Sequence, residues 1–139
     1  MDQKEIRQLA EKALDMRNMS YVPYSGFAVG AALLCEDGSV FGGCNIENAG
    51  YTPSNCAERT AIFSAVASGR QKFTALAVAG GKKGEEPEDY CAPCGVCRQV
   101  MSEFCDSDFP VYLVKSAEDI QALTLGDLLP HSFTSASLH

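Results

Sequence analysis

The feature that most constrains this chain is a set of three cysteines and one glutamate in two short motifs. The first motif is Cys-Ala-Glu at positions 56–58, and the second is Pro-Cys-Gly-Val-Cys at positions 93–97. Each motif stands where the surrounding pattern predicts the start of a helix. Three thiolates gathered at one point leave a zinc ion one ligand short, and an open fourth position is typical of catalytic zinc sites.

The length and composition indicate a globular chain with reduced cysteines. With 139 residues, of which 46% are hydrophobic, the chain is predicted to form a single domain over residues 1–139. The N-terminal segment is charged and has no apolar stretch behind it, so we expect no signal peptide and a cytoplasmic location. The seven cysteines are an odd number, which favours metal ligands and buried small side chains over disulfides. Cys35, Cys44 and Cys105 are expected to be the buried ones.

The charge and the apolar runs argue against nucleic-acid and membrane partners. The net charge is −7, and no run rich in lysine or arginine occurs. A protein that grips a phosphate backbone needs a positive face. The longest apolar runs, such as residues 31–35, are too short to span a bilayer. We therefore expect a small neutral substrate.

The hydrophobic pattern predicts strands that alternate with helices. The predicted order is a helix around residues 6–14, strands at 27–34 and 40–44, a helix at 56–68, a strand at 75–79, a helix at 95–104 and a strand at 111–114. Residues 80–89 are predicted to be a loop, and the remainder short pieces. Buried strands alternating with helices indicate an α/β fold, a three-layer α-β-α sandwich around a mixed, mostly buried sheet.

The spacing within the motifs predicts where a metal would lie. Cys56 and Glu58 are roughly 200° apart around a helix, so they converge only on an object above its N-terminal end. Cys94 and Cys97 share a helix face, and Cys97 continues an apolar stripe, so both are expected to point inward. The metal is thus expected over two helix N-termini, where free N–H groups and the helix dipole lower thiol pKa values.

Charge counting predicts roles for the neighbouring side chains. Zn²⁺ with three thiolates carries a net charge of about −1, so it acidifies water less than a site with neutral ligands does. Glu58 is then the expected base, and its pKa should be raised because it begins an apolar stripe beside an anionic metal. Arg59 is expected to offset the excess charge by hydrogen bonding to sulfur.

Five segments of the chain form a wider pattern around the two motifs. They are residues 24–32, 43–49, 56–59, 93–99 and 128–133, and they are spread over nearly the whole chain. The pattern resembles the zinc-dependent cytidine deaminases, and Cys-Ala-Glu in place of His-x-Glu is similar to the small homotetrameric nucleoside deaminases. This resemblance implies hydrolytic deamination of cytidine and deoxycytidine in pyrimidine salvage, with one zinc ion per subunit.

The resemblance also implies which residues perform the reaction. Cys56, Cys94 and Cys97 would bind the zinc, which activates a water molecule for attack on C4 of the base. Glu58 would take a proton from that water, pass it to N3 of cytosine and later help ammonia to leave.

A second group of residues is implied to bind the substrate. Asn45 and Glu47 would hydrogen-bond the ribose hydroxyl, and the Ala57 amide would meet the carbonyl of the base. Phe27 would pack against the base. Phe133 would reach the site of a neighbouring subunit in a homotetramer.

Other interpretations of the cysteines remain open at this point. A structural zinc module would need a fourth ligand, such as Cys91 or a histidine, and an iron–sulfur cluster would need a cysteine where Met101 stands. A thiol–disulfide oxidoreductase would use only Cys94 and Cys97. A deaminase of an antibiotic nucleoside such as blasticidin S, or a polynucleotide editor, would share the zinc motif.

Overall fold

Five strands and four α-helices make up the secondary structure of residues 1–138, the part of the chain that this computed structural model describes. In chain order they are α1 (Gln3–Met16), β1 (Phe27–Cys35), β2 (Val40–Cys44), α2 (Ala57–Ala67), β3 (Phe73–Lys82), α3 (Gly95–Phe104), β4 (Pro110–Ser116), β5 (Asp119–Thr124) and α4 (Leu125–Leu128). Short 3₁₀ helices cover Arg17–Met19 and Ser135–Leu138. None of the described helices has the length and apolar character needed to cross a membrane.

The strands form one mixed sheet in the order β2-β1-β3-β4-β5. β1 is antiparallel to both β2 and β3, β3 is parallel to β4, and β4 is antiparallel to β5. A parallel pair requires a crossover connection, and here the segment that contains α3 supplies it. The predicted α/β fold with a mixed sheet is confirmed.

The two faces of the sheet are covered by different helices, which gives the predicted three layers. Because side chains alternate along a strand, Ala75, Ala77 and Ala79 face α1. Leu76 and Val78 face the opposite side, where they pack in one core cluster with side chains of α2 and α3. Alanine positions under α1 let that helix lie close to the sheet, whereas the face under α2 and α3 holds the larger side chains.

Two strands differ from the sequence prediction. β3 continues to Lys82, because Gly80 and Gly81 still pair with β1, although residues 80–89 were predicted to be a loop. β5 was not predicted at all. It is a half-exposed edge strand without a continuous apolar run, and it is held by its pairing with β4.

Candidate active site

The helices that follow the two motifs each begin with a cysteine as the N-cap residue. Cys56 precedes α2 and Cys94 precedes α3, both with extended backbone and without a side-chain capping hydrogen bond. The starts of both helices agree with the sequence prediction. The start of β1 lies at the same end of the sheet as the ends of β2 and β3. Phe27 pairs with Lys82, and the last residue of β2 pairs with Gly30.

Three thiols meet at these helix ends, and we call Cys56, Cys94 and Cys97 the thiol triad. The sulfur atoms of Cys56 and Cys94 are 3.6 Å apart, and those of Cys94 and Cys97 are 3.5 Å apart. A tetrahedral zinc ion with Zn–S bonds of about 2.3 Å has sulfur ligands about 3.8 Å apart, so the thiol triad fits one zinc ion. Within residues 1–138 no further histidine, cysteine, aspartate or glutamate joins the triad. A zinc ion held there has a fourth position for solvent or substrate.

The cysteines differ in burial. Cys97 is fully buried, whereas Cys94 is exposed, although its sulfur lies against that of Cys97. Cys94 is exposed because it lies at the N-cap, outside the helix, and does not share the apolar stripe of α3. Cys35 and Cys44 are buried as predicted, and Cys105 is half-buried against the core.

Hydrogen bonds within the thiol triad favour a thiolate at Cys56. The Cys97 thiol, followed by the Arg59 guanidinium, lowers the pKa of Cys56 to about 5. The same hydrogen bond holds the proton on Cys97 and raises its pKa. Arg59 Nη2 donates to Cys56 Sγ over 3.3 Å, while its buried Nε has no hydrogen-bond partner within residues 1–138. A half-buried guanidinium beside the thiol triad suits a site whose thiolates carry excess negative charge.

Glu58 lies in the first turn of α2 and is only 3% exposed. Burial is the main reason that its pKa is raised to about 7, with a further contribution from the charge of Cys56. A carboxyl group that titrates near neutral pH can both accept and donate a proton during one catalytic cycle.

Asn45 and Glu47 follow β2 and bind the segment that leads into β1. Asn45 Nδ2 donates to the carbonyl oxygen of Phe27 over 2.9 Å. The Glu47 carboxylate accepts hydrogen bonds from the main-chain N–H groups of Tyr24 and Ser25 and from the Ser25 hydroxyl. These two side chains thus fix the position of Phe27. Sequence reasoning did not identify Tyr24 and Ser25, for which the only signal was their place in the segment 24–32.

Phe27 lies beside Cys91, and a glycine makes room for both. A Cβ atom at Gly80 would be 2.9 Å from Phe27 Cε2 and 2.8 Å from Cys91 Sγ. Burial raises the pKa of Cys91 to about 11, and the charges of Glu58 and Cys56 add to the shift. Cys91 is therefore a neutral thiol close to the triad but outside it. Phe27 remains 42% exposed.

Ala57 and Phe133 complete the set of residues assigned from the sequence. Ala57 is buried at the first position of α2, where main-chain N–H groups have no partner within the helix. Phe133 is 60% exposed and so does not belong to the core of this chain. Its carbonyl oxygen accepts a hydrogen bond from Gln99 on α3 over 2.8 Å, a contact that the sequence did not reveal.

The fold and the thiol triad together define an α/β protein with the donor set of a catalytic zinc site. The family model for the cytidine and deoxycytidylate deaminase zinc-binding region matches residues 3–113, and the chain belongs to this family. It is similar to the cytidine deaminase of Sporosarcina psychrophila, with 47% identity over 134 residues, which are 96% of this chain and 95% of that protein. The cytidine deaminase of Halalkalibacterium halodurans is 49% identical over 133 residues, covering 96% and 97% of the two chains.

A solved structure shows the same fold. The crystal structure of cytidine deaminase from Burkholderia pseudomallei has a TM-score of 0.82 and 48% identity, covering 91% of this chain and 97% of that one. The blasticidin-S deaminase of Bacillus cereus is a more distant relative, 27% identical over 130 residues. The predicted enzyme class and the predicted zinc cofactor are confirmed. A closed structural zinc site would need a fourth side-chain ligand, and residues 1–138 provide none beside the thiol triad.

Proposed function

We propose that this protein hydrolyses cytidine and deoxycytidine to uridine and deoxyuridine, with release of ammonia. The observation that carries the proposal is the buried side chain of Glu58, which is 3% exposed. Glu58 lies two residues after Cys56, a member of the thiol triad that fits one zinc ion. The relatives that share 47% and 49% identity with the chain are cytidine deaminases. We treat residues 1–139 as one deaminase domain.

The thiol triad and Arg59 would hold the metal. Cys56, Cys94 and Cys97 would bind zinc as thiolates, and the zinc supplies the Lewis acidity that makes a water molecule nucleophilic. Arg59 donates to Cys56 Sγ and so offsets part of the thiolate charge. Because three thiolates weaken the acidification of water, the reaction depends strongly on a neighbouring base.

Glu58 is that base, and it moves the proton through the reaction. It takes a proton from the water that attacks C4 of the base and gives it to N3. It then assists protonation of the amino group, so that the C4–N bond breaks and ammonia leaves. A pKa of about 7, caused mainly by burial, suits a group that accepts and then donates a proton.

Asn45 and Glu47 would bind the ribose, because each retains hydrogen-bonding capacity. An amide has two N–H donors, and Asn45 uses one of them for the Phe27 carbonyl. A carboxylate accepts about four hydrogen bonds, and Glu47 accepts three. Phe27 would pack against the base, and the free N–H of Ala57 would meet its carbonyl group.

We further propose a homotetramer that acts in pyrimidine salvage in the cytoplasm. The products are the uracil nucleosides that a salvage route would use, and all seven cysteines are free thiols. Large apolar side chains are exposed, including Tyr51 at 75%, Phe133 at 60% and Val96 at 57%. Exposed apolar side chains that lie together in one patch mark a protein–protein contact, which is the arrangement that the proposed tetramer requires. In that assembly Phe133 would reach the site of a neighbouring subunit.

Deamination of an antibiotic nucleoside is the second candidate. It is favoured by the similarity to the blasticidin-S deaminase of Bacillus cereus, at 27% identity. The identity of 47% to 49% to cytidine deaminases over nearly the whole chain favours cytidine instead.

The experiment combines zinc stoichiometry with a substrate panel. Purified protein is assayed for zinc, and the fall in ultraviolet absorbance is followed with cytidine, deoxycytidine and blasticidin S. Glu58→Ala is expected to keep its zinc ion and its folded structure. Its kcat should fall by about 10²- to 10⁴-fold, the usual contribution of a general acid–base group. Glu103→Ala, which removes an exposed carboxyl on α3, is the matched control. Wild-type turnover of cytidine by Glu58→Ala would contradict the assignment.

A further inference from the structure

The arginine that directly follows the second motif joins three segments of the chain. Arg98 Nε donates to the carbonyl oxygen of Pro93 over 2.7 Å, and Nη1 donates to that of Leu128 over 2.7 Å. The main-chain N–H of Arg98 donates to the carbonyl oxygen of Cys94 over 3.0 Å. One residue therefore connects the peptide before Cys94, the helix that carries Cys97, and the end of α4.

The hydrogen bond from Arg98 to the Pro93 carbonyl oxygen orients a peptide that the hydrogen bonds of α3 do not hold. Pro93 is fully buried, and because it precedes the N-cap its carbonyl cannot take part in the hydrogen bonds of α3. A buried carbonyl without a partner is costly, and a guanidinium donor gives a short, strong bond. Cys94 itself is exposed and its side chain does not cap the helix. The orientation of the Pro93–Cys94 peptide therefore depends on Arg98.

We propose that Arg98 is a positioning residue of the zinc site. By holding the Pro93 carbonyl, it keeps Cys94 Sγ at 3.6 Å from Cys56 Sγ and 3.5 Å from Cys97 Sγ, close to the spacing that one zinc ion requires. The side-chain hydrogen bonds of Arg98 go to main-chain carbonyls, whereas Arg59 donates to sulfur. This inference rests on the proposed ligand set, and it predicts an effect on metal retention and not on proton transfer.

The neighbouring residue on α3 provides a matched control. Gln99 donates to the carbonyl oxygen of Phe133, so it also ties α3 to the C-terminal segment, as the bond from Arg98 to Leu128 does. Gln99 makes no hydrogen bond to Pro93 among the described residues. A comparison of Arg98→Ala with Gln99→Ala therefore separates the tie to Pro93 from the tie to the C-terminal segment.

The test measures zinc release from the full-length holoenzyme to a chromophoric chelator. Arg98→Ala is expected to release zinc about 10- to 100-fold faster than wild type, the usual cost of losing a group that orients a metal ligand. Gln99→Ala should stay within about twofold of wild type. Arg98→Lys, whose single ammonium group replaces the two nitrogen atoms that reach Pro93 and Leu128, should lie between. With excess zinc present, kcat of Arg98→Ala should approach the wild-type value. Cobalt-substituted Arg98→Ala should show an altered ligand-field spectrum, while Gln99→Ala should not.

Two results would overturn the proposal. One is wild-type zinc release by Arg98→Ala, and the other is equal acceleration by Arg98→Ala and Gln99→Ala. If Arg98→Ala does not fold, Arg98→Lys decides, and release at the wild-type rate would then overturn the proposal. An error in the ligand set itself would appear differently, as unchanged zinc retention in Cys94→Ser.

Discussion

The helices on the two faces of the sheet begin in different ways. At the start of α1, Asp2 is the N-cap and its carboxylate accepts the N–H of Glu5 over 2.8 Å. At the starts of α2 and α3, the N-cap residues are Cys56 and Cys94, and neither side chain makes a capping bond. The first helix end is satisfied by its own sequence, whereas the other two direct their free N–H groups and dipoles at thiols. α2 and α3 thus lack the stabilisation that a side-chain cap would supply, and their uncapped N–H groups create an electropositive environment at the site.

The two faces also share a device, since a glycine on each lets a helix backbone approach the sheet. A Cβ atom at Gly30 would lie 2.0 Å from the carbonyl oxygen of Ala13 in α1. A Cβ atom at Gly43 would lie 2.3 Å from the carbonyl oxygen of Ala57 in α2. One substitution, glycine to alanine, therefore tests the two faces separately.

The largest predicted effect is that of Gly43→Ala. Its Cβ cannot be accommodated without displacing the first turn of α2, where Ala57 and Glu58 lie, so overpacking should cost about 3 kcal/mol of stability. Zinc content and kcat should fall as well, even at a temperature where the variant remains folded. Urea unfolding, zinc analysis and kcat per folded molecule measure the three effects.

Gly30→Ala is the matched variant on the other face. It should lose a similar free energy of unfolding, about 3 kcal/mol, because its Cβ also meets helix backbone. Zinc content and kcat per folded molecule should stay near wild type, since α1 carries no residue of the thiol triad. Equal losses of kcat in both variants would remove the functional distinction between the two faces.

The elements around the site could be predicted because their signals are local. The starts of α2 and α3 follow from two short motifs, and Gly69, with a φ of 97°, marks the end of the helix as predicted. β1 is a continuous apolar run, so its identity did not depend on its partners. The prediction of a metal over the N-terminal end of α2 followed from the spacing of Cys56 and Glu58.

What the sequence could not reveal depends on contacts between distant segments. The residues of β5 are half-exposed and show no strand pattern of their own. They form a strand because they pair with β4. The hydrogen bonds of Glu47 to Ser25 and of Arg98 to Leu128 join residues 22 and 30 positions apart. Cys94 is exposed because it lies one residue before the start of α3. The sequence pattern does not fix a helix boundary to one residue.

A smaller effect is predicted for the capped end of α1. Asp2→Ala removes the acceptor of the Glu5 N–H, which should cost about 1 kcal/mol in the free energy of unfolding. Asp2→Asn keeps an acceptor at the N-cap and should remain close to wild type. Zinc release and kcat should not change in either variant. Faster zinc release from Asp2→Ala would show that the two faces are coupled.

The smallest effect is expected in the turn between β1 and β2, at the opposite end of the sheet from the thiol triad. The Asp37 carboxylate accepts hydrogen bonds from the Ser39 hydroxyl and N–H and from Arg70. These contacts, led by the Ser39 hydroxyl, lower its pKa to about 2, below the usual value of about 3.9 in unfolded chains. A lowered pKa contributes stability that is complete above the unfolded value and is lost as the pH falls through the folded value.

Urea unfolding of wild type and Asp37→Asn measures this contribution across pH. The difference in unfolding midpoint should be constant above a pH of about 5 and should shrink as the pH falls from about 4 to about 2. Acid release of zinc from the thiol triad affects both proteins alike, so it cancels in the difference. The effect should be small and should weaken with salt, because Asp37 is exposed. A difference that stays constant down to a pH of about 2 would mean that protonation of Asp37 does not contribute to the loss of stability in acid.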